Sequence, residues 1–162
     1  MTINNLMFQL HSRDIDLMVL QVTAISERAA ATQVYYSSHD DWQSFISAIR
    51  LYIDNPQKEM YIETGINMDA TDELAFIMFL RPMDKHGKLR IDVDISIEPP
   101  FRDAPKDIIQ TCSFYLYVEI GAVENMLKGL EKMPTYDAGT VVRLYEDDTM
   151  VLKRAESSIN YP

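Results

Sequence analysis

Apolar and polar residues alternate with period two along much of this chain, most strictly in KLRIDVDISIE, residues 88–98. Leu89, Ile91, Val93, Ile95 and Ile97 fall on one side of an extended backbone. Arg90, Asp92, Asp94, Ser96 and Glu98 fall on the other, which predicts a strand with one buried face and one acidic, wet face. TCSFYLYVEI, 111–120, has the same form, with Cys112, Phe114, Leu116, Val118 and Ile120 opposite Ser113, Tyr115, Tyr117 and Glu119. Residues 6–10 predict a short strand at a sheet edge, and the β-branched stretch 17–25 a more buried one after a turn at 13–16. Residues 31–38 predict a further strand, although the helical tendency of 27–31 competes with a hairpin there. Residues 59–65 predict another. LAFIMFLRP, 74–82, is apolar at nearly every position and predicts a central strand covered on both faces. MDKHGK then turns the chain into 88–98, with Gly87 at positive φ.

Two segments switch to helical spacing. In SSHDDWQSFISAIRLYIDNP, Ser38 caps and Asp41 stands three residues on. Trp42, Phe45, Ile46, Ile49, Tyr52 and Ile53 then share one face, and Asp54, Asn55 and Pro56 end the run. In GAVENMLKGLEKMP, Val123, Met126, Leu127 and Leu130 make the apolar stripe and Pro134 stops it. INMDATDE and the proline-rich PPFRDAPKD read as irregular connections, and GTVVRLYEDDTMVLKRA as a last hairpin turning at EDD. The pattern predicts an α+β fold: a mainly antiparallel sheet of about seven or eight strands with two α-helices packed on it. It forms a single domain over 1–155 with a loose tail at 156–162. Two helices cannot cover both faces of so large a sheet, so part of one face stays open.

Composition adds a sign to that open face. The 162 residues carry a net charge of −10 and a pI near 4.6. Such a surface repels phosphate, which argues against nucleic acid and anionic membranes and favours a cationic protein partner. The single cysteine, Cys112, excludes an internal disulfide and a cysteine-built zinc site, and on the apolar side of its strand it belongs to the core. No leader-like N-terminus and no membrane-length apolar run is present, which together with the cysteine usage predicts a cytoplasmic protein.

Signatures of catalysis are missing. His11, His39 and His86 share no ligand spacing, and there is no nucleophile elbow, P-loop or dinucleotide fingerprint. No cofactor is implied. Asp92 and Asp94 project from one side of one strand, roughly 6.5–7 Å apart by strand rise. That spacing leaves open a metal site completed by other oxygens, or a carboxylate pair of hydrolase type. The other reading sets acids beside phenols. If 111–120 lies next to 88–98, Asp92, Asp94 and Glu98 share a face with Tyr115, Tyr117 and Glu119, a surface suited to receiving lysine and arginine.

The aromatic helix DWQSFISAIRLYI, the hairpin LAFIMFLRPMDKHGKLRIDVDISI with Asp84 and Gly87 at its turn, and the strand-plus-helix FYLYVEIGAVENMLKGLEKM follow in an order that resembles the small acidic immunity proteins of bacterial polymorphic-toxin systems. The likeness spans about residues 38–133. It implies an α+β fold, no catalysis, and neutralisation of a cognate toxin domain by occlusion. Binding residues differ across such families, so the partner-binding positions Asp92, Asp94, Glu98, Tyr115, Tyr117 and Glu119 rest on the strand pattern alone. The expectation is thus a non-catalytic binding protein, monomer or homodimer. The rivals are a small metal-dependent hydrolase using Asp92 and Asp94, and a structural homodimer subunit.

Overall fold

The computed structural model describes residues 5–64, 76–97, 110–145 and 149–152. The elements run β1 (Asn5–Arg13), β2 (Leu17–Ile25), β3 (Ala30–Ser38), α1 (His39–Asp54), β4 (Met60–Thr64), β5 (Phe76–Leu80), β6 (Lys88–Ile97), β7 (Gln110–Glu119), α2 (Ile120–Lys132), a 3-10 turn at Met133–Thr135, β8 (Val141–Tyr145) and β9 (Thr149–Leu152). Every strand pair is antiparallel, so the chain is an α+β protein. The strands divide between two sheets, in the orders β3-β2-β1-β8-β9 and β4-β5-β6-β7.

Local chemistry sets the turns. The Asp14 carboxylate accepts from the N–H groups of Asp16 and Leu17, both at 2.8 Å, and reverses the chain between β1 and β2. These bonds hold the Asp14 carboxyl below the usual carboxylate range. Between β2 and β3 the competition between helix and hairpin resolves as a hairpin: Ser26 N donates to Ala29 O at 2.8 Å and Ser26 Oγ accepts from Ala29 N at 2.9 Å. Between β5 and β6, Asp84 accepts from His86 N and Lys88 N, and Gly87 takes φ +79° as expected. Ser38 caps α1 through Asp41 N at 3.1 Å, while its hydroxyl donates to the Asp41 carboxylate.

Trp42, Phe45, Ile46, Ile49 and Tyr52 of α1 and Val123, Met126, Leu127 and Leu130 of α2 are buried in one core shared by both sheets. Its centre is aromatic: Phe8 of β1, Phe45 of α1 and Phe76 of β5 contact one another with ring centroids 5.6–6.4 Å apart. Each such ring contributes about 1.5–3 kcal/mol through burial. The Trp42 indole N–H donates to Leu130 O at 3.1 Å and ties the helices together.

Two expectations are corrected. Residues 6–10 do not form an edge strand. β1 lies between β2 and β8, because the C-terminal hairpin returns to cover its free side, a pairing that local sequence does not encode. Nor is the apolar strand 74–82 covered on both faces. Phe76, Met78 and Leu80 are buried, but Ile77 and Phe79, on the opposite side of the strand, are only half-buried, with the Arg81 guanidinium over Phe79. Of the expected irregular segments and turns, INMDATDE, PPFRDAPKD, EDD and the tail all lie outside the described residues.

Candidate functional site

The four-stranded sheet turns Ile62, Met78, Leu80, Ile91, Val93, Phe114 and Leu116 inward, all fully or almost fully buried. Alternation then sends the intervening residues to the other face. Register places them in rows. Tyr61, Phe79, Asp92 and Tyr115 stand directly opposite one another across all four strands. The next row is Glu63, Ile77, Asp94 and Ser113. On the other side Arg81 meets Arg90 through its N–H at 3.0 Å, and Arg90 stands opposite Tyr117. Lys88 and Glu119 close the surface.

Asp92, Asp94, Tyr115, Tyr117 and Glu119 therefore share one face, as the strand pattern predicts, and the face is open. Tyr61 and Tyr117 are 56% and 46% exposed. Tyr115 and Tyr117 meet edge to face at 5.9 Å. Glu98 lies outside the described residues.

The face is less acidic than the outward residues of 88–98 and 111–120 alone imply. Among the described residues Glu63, Asp92, Asp94 and Glu119 are set against Arg81, Lys88 and Arg90, four acids to three bases. Asp92 is already paired: Arg81 Nε donates to its Oδ2 at 2.7 Å and Arg90 Nε to its Oδ1 at 2.6 Å. The Arg81 guanidinium lies over Phe79 at 4.3 Å and that of Arg90 over Tyr115 at 4.5 Å. The Asp92 hydrogen bond raises the Arg90 pKa above its ordinary value. The physical reason is strand pairing, which brings Arg81 beside Arg90, already on the acids' side by the period-two rule.

The face is consequently bipolar. At one pole lie Glu63 and Asp94, two strands and about 9–10 Å apart, with Tyr61 beside them. The Tyr61 phenol is pushed above its ordinary pKa, first by desolvation and then by Glu63 and Asp94. The other pole is the Arg81–Arg90 pair. Arg81 and Phe79 escape a reading centred on 88–98, yet the signal is present: Phe79 on β5 and Arg81 just past its end stand two apart, as Arg90 and Asp92 do on β6.

Asp92 spends both carboxylate oxygens on arginine, and no group of three or more His, Cys, Asp or Glu side chains is placed to hold a metal ion among the described residues. Cys112 is half-buried against the core. No described helix is long and apolar enough to cross a membrane. The outer face of the five-stranded sheet is less open, with Met7, Thr23 and Val141 buried on it. The chain has no match among family models, curated proteins or solved structures.

Proposed function

We propose that this chain is a non-catalytic binding protein of the immunity type, which occludes a basic toxin domain by docking it on the outer face of the β4–β7 sheet. The supporting observation is the outward row Tyr61–Phe79–Asp92–Tyr115, in which Tyr61 is exposed and the other three are half-buried, with exposed Tyr117 beside it. Tyrosine and arginine are the residues that most often dominate binding energy at the centre of protein interfaces. Large rings held by strand pairing and by stacked guanidiniums present contact area without further ordering. Glu63 and Asp94 receive lysine or arginine from the partner, and the −10 net charge steers a basic protein toward the complex.

Tyr117 and Tyr36 provide a matched test. Both are exposed, 46% and 41%, and they lie on different sheets. A photo-crosslinking amino acid at position 117, in the native cell, captures one basic protein in stoichiometric yield, whereas the same group at position 36 does not. Equal capture at both positions, or none at 117, rejects this face as the docking surface.

A further inference from the structure

Arg81 and Arg90 do more than neutralise Asp92. One carboxylate serves two guanidiniums, which leaves a positive charge over, and both arginine side chains are about half exposed. Each fork has five N–H groups and gives its Nε–H to Asp92. No second carboxylate pairs with either among the described residues. The side chains are also fixed before any ligand arrives. Phe79 and Tyr115 support the guanidinium planes, the Arg81 N–H is bonded to Arg90 O, and Tyr52 holds the Arg81 carbonyl. Ordering two long side chains ordinarily opposes binding; here that ordering exists in the free protein.

The geometry points to a receptor for one carboxylate, the side chain of an aspartate or glutamate on the docked protein, held by the terminal N–H groups of Arg81 and Arg90. The planar forks match a carboxylate in a way an ammonium does not. A free anion must approach against a net charge of −10. A carboxylate carried on a basic protein arrives with the long-range field in its favour and meets only the local positive pole. The partner's cation then lies at Glu63 and Asp94 and its acid at Arg81 and Arg90, so the two poles fix the orientation of docking. Only the source of the carboxylate rests on the function proposed above.

Acetate is the probe. The free protein is titrated with sodium acetate against sodium chloride at equal ionic strength, and arginine side-chain ¹H–¹⁵N signals are followed. The expected result is a saturable acetate-specific shift at Arg81 and Arg90, about threefold larger than at exposed Arg28. Arg90→Lys, which keeps the charge and removes the fork, lowers the Arg81 response to the Arg28 level. Arg90→Gln serves if that variant does not fold. Shifts at Arg81 and Arg90 no larger than at Arg28, or an Arg81 response undiminished in the variant, overturn the receptor. Because no partner is needed, that failure is separate from failed crosslinking at position 117, which removes the docking reading and leaves the acetate site intact.

Discussion

The hydroxyl of Tyr52, in the last turn of α1, donates to the backbone carbonyl of Arg81 at 2.7 Å. This bond joins a core helix to the strand end that carries one of the two arginines. It explains how an exposed side chain begins from a fixed backbone. Tyr52→Phe removes the bond and leaves the carbonyl short of a partner, at a cost of about 1–2 kcal/mol. Urea unfolding measures the loss, and the Arg81 side-chain signal should broaden or sharpen with it.

Burial pushes the Tyr52 phenol up to about 12. Tyr35 is raised further by the same cause. Both keep their protons in the folded protein where the unfolded chain has lost them, so the unfolded state binds fewer protons above about pH 10. Their contribution is complete below pH 10 and is lost as pH rises toward 12 and beyond. Stability measured at pH 9 and pH 11.5 should fall, and fall less steeply in Tyr52→Phe.

Trp42 is the only tryptophan and is almost fully buried. Trp42→Phe removes ring volume and the bond to Leu130 O, at about 2–4 kcal/mol in chemical denaturation. Native emission of the parent protein should be blue-shifted and move to the red in the unfolding transition that circular dichroism reports.

Gly87 has φ +79°, and an added Cβ would meet nothing within 4 Å. Gly87→Ala therefore carries only the left-handed backbone penalty, about 1–2 kcal/mol. Gly87→Asn should cost less, because asparagine tolerates that region. A loss well above this in the alanine variant points to a clash the turn does not contain.

Removing acids from the partner-facing pole should act on rates. Asp94→Asn with Glu63→Gln slows association with a basic partner by about three- to tenfold at low salt and flattens the salt dependence. Asp92→Asn should change stability by about 1 kcal/mol, because the arginine ends of both its ion pairs are about half exposed and the amide keeps one acceptor oxygen. Stopped-flow mixing across ionic strengths separates the two variants.

Much of the layout was legible from periodicity. The alternation of 88–98 and 111–120 fixes which residues face outward, and helical spacing found Trp42 through Tyr52 because those faces are one-sidedly apolar. Long-range pairing was not legible. Nothing local to residues 6–10 announces that β8 will lie beside them, or that the strands will divide between two sheets. At the site, the acids and tyrosines were visible, whereas the neutralisation of Asp92 was not. Arg81 reaches it from a different strand, and strand adjacency converts a run of acids into a paired network.

β1 pairs on one flank with β2 and on the other with β8, Phe8 standing opposite Val142. β1 thus waits until residues 141–145 have been made before its second flank is filled. During synthesis it offers a bare row of backbone donors and acceptors to any neighbouring nascent chain. Truncations that stop short of Val141 should accumulate as aggregates rather than as a smaller native protein.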